Sequence, residues 1–369
     1  MKRIGILTAG GDTPALNATI HGAVARANQL SIEAYGFIKG YNSLYNERVP
    51  HVHLNPLYQE IPELDPTKGG TILGSSRDYV DPNDDEALSK ITQKLNRLKI
   101  DGLVCIGGDG TLNGLQPLAD RIPVVLAPKT IDNDLGFVEK TFGFETSVQV
   151  ASEIITSAHC EAEGAENGIG IVKLMGRDSG FITATASLAN SVVDFCLIPE
   201  TPFRFNGPNG ICAAIHRRIE QNKHAVIVVA EGAGQDLFEN SKKTIDASGN
   251  VLKDDIGELL KQEISAYFQQ INTPVSIKYL DPSYHIRSVS ANAADAVFCH
   301  LLAEYAVHAG MSGKTNLVIG YWNNFFTHVP IQLATKERRM VDLDSALWRG
   351  VVSATQQDKA SRTNTDSIS

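Results

Sequence analysis

The alternation of short β-rich runs with longer helical patterns constrains the fold of this chain more than any other feature. A strand-like run over residues 2–10 precedes a helical pattern over 15–30, and DGLVCIGG (101–108) precedes a helix predicted from about Thr111. The run IPVVLAP follows at 122–128, and after residue 140 the alternation restarts with NGIGIVKLMG, VVDFCLIPE and HAVIVVAEGAG. Strands that alternate with helices indicate mainly parallel sheets covered on both faces. The sequence therefore predicts an α/β protein.

The chain length predicts two packed lobes. With 369 residues, the chain exceeds what one compact core of ordinary size accommodates. In such α/β lobes, ligands bind at the carboxyl ends of the strands. The polar C-terminal stretch QQDKASRTNTDSIS, residues 356–369, lacks apolar periodicity and predicts a disordered tail.

Composition and charge exclude several classes of protein. Hydrophobic residues make up 43% of the chain. Even so, no apolar run approaches the ~20 residues of a spanning helix. The N-terminus has the wrong pattern for a secretion signal, so we expect a cytoplasmic protein without membrane association. A net charge of −9 argues against binding to nucleic acid or anionic membranes. The five dispersed cysteines predict reduced packing residues rather than disulfides or a metal site.

The segment PKTIDND, residues 128–134, places a lysine and two aspartates directly after the apolar run IPVVLA. Pro, Asn and Asp are turn formers, so the carboxylates could simply be solvated loop residues. Their position after a strand also suits ligand binding. From these seven residues alone both interpretations stay open.

Three strand ends run into glycine beside an acid: ILTAGGD (6–12), VCIGGDG (104–110) and VVAEGAG (228–234). Such glycines let backbone N–H groups approach a phosphate, although a lone Gly-Gly-Asp is more often a tight turn. In GGDGT (107–111), Asp109 could hold a hard cation such as Mg²⁺, and Gly110 leaves space beside it. Asp132 and Asp134 could supply a base and a second acid, with Lys129 facing the phosphates, as phosphoryl transfer requires.

Taken in order, the motifs of this chain resemble those of the 6-phosphofructokinase family. The resemblance runs from about residue 3 to about 355. It rests on ILTAGGDTPALNATI, GGTILGSSR, GGDGT, PKTIDNDL, FGFETSV, KLMGRDSG, LIPE, VVAEGAGQ and KYLDPSYHIR. It implies a phosphofructokinase-type fold of two Rossmann-like lobes. The donor-binding lobe would comprise residues 1–139 plus about 260–310, and the fructose 6-phosphate-binding lobe 140–259 plus about 311–355.

The resemblance also implies a role for each matching residue. Asp132 would be the base for the sugar hydroxyl, and Asp134 would assist at the metal-phosphate site. Arg177 would stabilise charge during transfer, and Lys129 would be the fourth catalytic residue. Binding of ATP and Mg²⁺ would involve Gly11, Arg77, Asp78, Gly108, Asp109, Gly110 and Thr111, with Asp109 as the metal ligand. Binding of fructose 6-phosphate would involve Thr130, Asp132, Met175, Gly176, Arg177 and Glu231, with Lys278, Tyr284 and Arg287 on its 6-phosphate.

Two positions bear on the choice of phosphoryl donor. Pyrophosphate-dependent members typically carry Asp at the position of Gly110, so Gly110 favours ATP. Lys129, in contrast, is usual in pyrophosphate enzymes, whereas common bacterial ATP enzymes have Gly there. The combination resembles an atypical ATP-dependent clade that includes trypanosomatid and plant enzymes. ATP is therefore the expected co-substrate, with pyrophosphate as the alternative.

Regulation and assembly depart from the typical bacterial pattern. His21 and Ala25 stand where typical bacterial enzymes have effector-binding arginines, so the usual effector site of this allosteric family should be absent. Gly168 replaces an arginine that binds phosphate across a subunit boundary. The resemblance still implies a homodimer or homotetramer.

Two further classes compete with this interpretation. Diacylglycerol-type lipid kinases and NAD kinases share GGDGT but lack the PKTIDND and MGRDSG pair. A non-catalytic sugar-phosphate sensor would require loss of a catalytic acid, yet Asp109, Asp132 and Asp134 are all present.

Overall fold

The computed structural model describes residues 2–76, 81, 84–108, 116–238 and 252–357, which divide into two compact units. The first unit comprises residues 2–146 and 287–338, and the second comprises the described residues of 147–286 together with 339–357. These limits differ from the expected ones. Residues 260–286 group with the second unit and 311–338 with the first. The reason is strand pairing, because each of these segments adds strands to the sheet of the unit that it joins.

The first unit is built on a seven-stranded sheet with the order β11-β10-β5-β4-β1-β2-β3. Pairing is parallel except between β2 and β3 and between β10 and β11. The strands are β1 Arg3–Thr8, β2 Glu33–Phe37, β3 His51–His53, β4 Gly102–Gly107, β5 Val124–Pro128, β10 Leu317–Trp322 and β11 Phe325–Pro330. Its helices are α1 Leu16–Gln29, α2 Asn42–Tyr45, α3 Asp85–Leu98, α9 Ala293–Met311 and α10 Ile331–Lys336, with a 3₁₀ turn at Pro56–Tyr58.

Continuous apolar runs explain why β4 and β5 lie inside this sheet. Every residue of both strands is buried, as expected for parallel strands covered on both faces. Alternate side chains serve opposite faces. Val104 packs with α1 and α9, whereas Cys105 packs on the other side with α3. Of the helix predicted after β4, the structure shows residues 116–119 as helical. Its expected start at Thr111 lies outside the described residues.

The second unit contains a parallel four-stranded sheet with the order β7-β8-β6-β9. Its strands are β6 Gly168–Leu174, β7 Phe195–Leu197, β8 His224–Ala230 and β9 Ser276–Leu280. The helices of this unit are α5 Phe181–Ala189, α6 Ile211–Asn222, α7 Ile256–Gln270 and α11 Ala346–Thr355, with a 3₁₀ turn at Gln235–Leu237. Two further helices, α4 Phe144–Glu163 and α8 Ser283–Ser288, have residues in both units. The mixed α/β architecture with mainly parallel sheets confirms the predicted fold class.

Two expectations need correction. Gln357, in the predicted disordered tail, accepts a hydrogen bond from the Cys196 N–H at 2.8 Å, because α11 delivers it to β7. The order therefore extends to this residue, and positions 358–369 lie outside the described part of the chain. All five cysteines are free, but Cys160 is exposed on α4, so packing explains only the other four.

Candidate active site

In the first unit, the carboxyl ends of β1, β4 and β5 bring Gly11, Gly108 and Lys129 together. The buried Lys129 donates from Nζ to the Gly11 carbonyl oxygen at 2.7 Å. Gly10 has φ +86° and lies against the same ammonium group, where a Cβ would be 3.1 Å from Nζ. A Cβ on Gly108 would be 3.0 Å from the Lys129 carbonyl oxygen. A cation and two glycine-rich strand ends, far apart in sequence, are thus in contact.

Arg287 also reaches this cluster. Its Nη1 lies 3.7 Å from the position of a Cβ on Gly11. The first unit therefore places a second positive side chain beside the Gly10-Gly11 turn. Two cations beside a glycine turn that lacks side chains form a suitable environment for phosphate groups.

The loop after β5 combines a backbone turn with acidic groups. Asn133 has φ +55°, a conformation that asparagine tolerates better than most residues. Its side chain accepts from the Thr141 N–H at 2.9 Å and donates to the Glu139 carbonyl at 3.2 Å. The half-buried Asp132 donates its N–H to the Thr130 hydroxyl at 3.2 Å. The turn-forming interpretation therefore holds for Asn133.

Asp134 is held by a partner that sequence reasoning missed. Arg338 donates from Nη1 to Asp134 Oδ2 at 2.7 Å, and Thr130 lies 3.4 Å from Asp134 Oδ1. The carboxylate side chain is only 3% exposed, whereas the arginine side chain is 37% exposed. Leu135 also pairs with Arg338 through a backbone bridge. The loop that carries Asp132 is therefore fixed to the segment after α10 by both side chain and backbone.

In the second unit, the carboxyl ends of β6 and β8 bring Met175, Gly176 and Arg177 next to Glu231. The Glu231 N–H donates to the Leu174 carbonyl at 2.9 Å, and the Gly232 N–H donates to the Gly176 carbonyl at 3.0 Å. These backbone bonds continue the parallel pairing of the two strands beyond their ends. One continuous edge thus contains four of the predicted sugar-binding residues: Met175, Gly176, Arg177 and Glu231.

Of the three predicted phosphate-binding residues, Lys278 stands apart from that edge. It lies on β9 opposite Gly170, four residues before the end of β6 at Leu174. At ~3.3 Å per residue this is roughly 13 Å along the strand. Tyr284 is 83% exposed on α8. Strand position therefore does not bring Lys278 together with Met175, Gly176 and Arg177.

Several predicted site residues lie outside the described part of the chain, namely Arg77, Asp78, Asp109, Gly110 and Thr111. The predicted metal ligand, Asp109, therefore has no described geometry. Within the described ranges, no group of three or more His, Cys, Asp and Glu side chains could hold a metal ion. No helix in the described part of the chain is long and apolar enough to cross a membrane.

These strand ends belong to an α/β protein of two units, and sequence comparison identifies its family. The Phosphofructokinase family model matches residues 3–310, and the chain belongs to this family. The predicted family is thereby confirmed.

Curated relatives of similar sequence are named ATP-dependent 6-phosphofructokinases. The protein from Borreliella burgdorferi is 43% identical over 95% of this chain and 80% of its own length. The Amycolatopsis methanolica protein is 41% identical over 96% of this chain and 78% of its own length. The Trypanosoma cruzi protein is 40% identical over 94% of this chain and 72% of its own length.

Solved structures agree at the level of the fold. The pyrophosphate-dependent phosphofructokinase from Nitrosospira multiformis gives a TM-score of 0.76 at 17% identity, covering 96% of this chain and 91% of that chain. The pyrophosphate-dependent enzyme from Marinobacter aquaeolei gives a TM-score of 0.74 at 18% identity, with the same coverage. At such identity these similarities support the fold and not the donor.

Proposed function

We propose that this chain is an ATP-dependent 6-phosphofructokinase, which transfers a phosphoryl group from ATP to the 1-hydroxyl of fructose 6-phosphate and yields fructose 1,6-bisphosphate. The observation that carries the proposal is the contact of Lys129 with Gly11 at the strand ends where the family motifs converge. The donor assignment follows the curated relatives, which are 40–43% identical and ATP-dependent by name.

Within the proposed reaction, the two acids of the β5 loop have different roles. One oxygen of Asp134 is committed to the Arg338 guanidinium at 2.7 Å, so this carboxylate serves to hold the loop. Asp132 is the base, which accepts the proton of the 1-hydroxyl as the new O–P bond forms and the bond to ADP breaks. Lys129 and Arg177 offset the negative charge of the transferring group.

We assign the two substrates to two separate groups of residues. Gly11, Gly108, Lys129 and the undescribed GGDGT residues accept the donor, and Met175, Gly176, Arg177 and Glu231 accept the sugar. Mg²⁺ at Asp109 stays a prediction of the family resemblance. So do the contacts of Arg77 and Asp78 with the donor, and those of Lys278, Tyr284 and Arg287 with the 6-phosphate.

The first helix supports the proposal that the usual effector site is absent. His21 Nε2 lies 2.8 Å from Glu60 Oε2, so a carboxylate occupies the surroundings in which an arginine would bind an anion. Gly168, at the start of β6, is also unable to carry the cross-subunit arginine, because a Cβ there would be 2.0 Å from the Ala162 carbonyl oxygen. A cytoplasmic homodimer or homotetramer remains the expected form.

Pyrophosphate is the second candidate donor, since Lys129 is usual in pyrophosphate-dependent members. A coupled assay with fructose 6-phosphate and either ATP or pyrophosphate separates the alternatives. We expect fructose 1,6-bisphosphate from ATP, detected through aldolase and NADH oxidation, with a higher kcat/KM than for pyrophosphate. Preference for pyrophosphate would transfer the proposal to the second donor. Tight binding of fructose 6-phosphate without turnover on either donor would identify a sensor instead.

A further inference from the structure

An ion cluster in the second unit, built on a largely buried lysine and two exposed carboxylates, is not used by the proposed reaction. Lys173, on β6, lies 2.9 Å from Asp281 and 3.2 Å from Asp255, measured from Nζ to the nearest carboxylate oxygens. The Tyr279 hydroxyl donates to the second oxygen of Asp255 at 2.7 Å. The lysine side chain is 13% exposed, whereas the side chains of Asp255 and Asp281 are 46% and 37% exposed. We call these four residues the Lys173 cluster.

The Lys173 cluster joins three elements of the second unit. Asp255 caps α7 by accepting from the Gly257 and Glu258 N–H groups at 3.0 and 3.2 Å. Asp281 follows β9 and accepts from the Ser283 N–H at 3.1 Å and from the Ser283 hydroxyl, which fixes the start of α8. One ammonium group therefore ties the end of β6, the start of α7 and the turn from β9 into α8.

The electrostatics show that the cluster is mutually dependent. Burial alone would lower the pKa of Lys173, but hydrogen bonds to Asp281 and Tyr279 outweigh it and raise the pKa above its ordinary value. Burial opposes the charged form of Asp281 as well. There the hydrogen bonds from Ser283 and Lys173 outweigh burial and lower the pKa. Two acids and one cation leave a local excess of negative charge, which would double if Lys173 were neutral.

We propose that Lys173 is a positioning residue for residues 278–286, the segment that binds the sugar 6-phosphate in the proposed function, on which this inference rests. Asp281 lies three residues from Tyr284 and in the same turn, so displacement of Asp281 displaces the start of α8. Lys173 also offsets carboxylate charge that would otherwise repel a phosphate dianion near this segment.

The test compares Lys173→Met with a matched control, Arg218→Met. Arg218 forms another partly buried ion pair in the second unit, 2.8 Å from Asp194, with side chains 17% and 9% exposed. Each variant is assayed as the full-length chain for kcat, for KM of both substrates and for Tm. We expect Lys173→Met to raise KM for fructose 6-phosphate about 10- to 100-fold, with KM for ATP unchanged, since Asp255 and Asp281 lose the cation that they share. Arg218→Met should lower Tm and leave both KM values unchanged.

Two conservative variants keep the inference testable if Lys173→Met does not fold. Lys173→Arg should retain most of the affinity for fructose 6-phosphate, because the positive charge is kept. Asp281→Asn should raise KM for fructose 6-phosphate in the same direction as Lys173→Met, and combining both changes should cost less than the product of the single effects. An unchanged KM in Lys173→Met or Asp281→Asn would refute the positioning role. Absence of fructose 6-phosphate turnover in the wild type would instead refute the proposed function.

Discussion

Replacing Arg338 tests whether Asp134 depends on its cation to keep the β5 loop in place. Two unit charges at their separation of 2.7 Å attract by about 6 kcal/mol at an effective dielectric of 20. Solvent reduces this, because the Arg338 side chain is 37% exposed. The removal of the buried Asp134 carboxylate from water also offsets part of the gain. We therefore expect Arg338→Met to lose about 1–3 kcal/mol of net interaction free energy. This value lies between those of exposed and fully buried ion pairs.

The loss should be visible in kcat rather than in affinity. Asp132 precedes Asp134 by two residues in a loop anchored by Arg338, so release of Asp134 misplaces the proposed base. A loss of 1–3 kcal/mol in the transition state corresponds to roughly 5- to 150-fold in rate. We expect kcat for ATP and fructose 6-phosphate to fall within this range while both KM values change little. Arg338→Lys should recover part of the rate, because lysine keeps the charge but not the guanidinium geometry.

The matched control is Arg3→Met in the same unit. Arg3 forms a partly buried ion pair with Glu33 at 2.8 Å, and its side chain is 30% exposed, close to that of Arg338. This variant should lower Tm without changing kcat. If Arg338→Met lowers Tm as Arg3→Met does and keeps at least half of the wild-type kcat, the Arg338 pair is structural only and the argument fails.

Three further predictions concern the base, the donor and pH. Asp132→Ser should lower kcat about 10²- to 10⁴-fold with KM for fructose 6-phosphate nearly unchanged, and near-normal kcat would remove the base assignment. Gly110→Asp should reduce kcat/KM for ATP far more than for pyrophosphate, because two like charges ~4 Å apart repel by about 4 kcal/mol; equal loss on both donors would contradict this. In the Lys173 cluster, hydrogen bonds from Tyr279 and Ser283 and the Lys173 ammonium outweigh burial and lower the pKa of Asp255 and Asp281. Their contribution to stability is thus present above the ordinary carboxyl pKa of about 4 and is lost as the pH falls through the lowered pKa values. The Tm difference between wild type and Lys173→Met should therefore shrink from pH 7 to 3. A constant Tm difference would refute this prediction.

The predicted elements that were found share a local signal. Strands β1, β4, β5, β6 and β8 are apolar runs that end in glycine or a polar turn, and the parallel sheet follows from their alternation with helices. The limits of the two units lacked such a signal. Strand β10 joins the first sheet through β5, and β9 joins the second through β6, although each lies in a segment predicted for the other lobe. Pairing between distant strands decides unit membership, and no single stretch of sequence records it.

The candidate site shows the same limit. Family motifs located the residues at the strand ends, since each motif is a local pattern of glycine, acid and base. Arg338 lies 204 residues from Asp134 and belongs to no such pattern. Lys173 does lie inside KLMGRDSG, yet nothing in that motif indicates Asp255 or Asp281 as its partners. Supporting contacts depend on the folded geometry and were therefore missed.

The loop after β5 also explains why its sequence is ambiguous. Asn133 makes the backbone turn with φ +55° and hydrogen bonds to residues 139 and 141. The buried Asp134 carboxylate is paired with the Arg338 guanidinium. The turn-forming and the chemical interpretations of the segment are thus compatible, since Asn133 and Asp134 fix the backbone that presents Asp132. Held in this way, the proposed base Asp132 would keep its geometry while the proton is transferred, as effective general base catalysis requires.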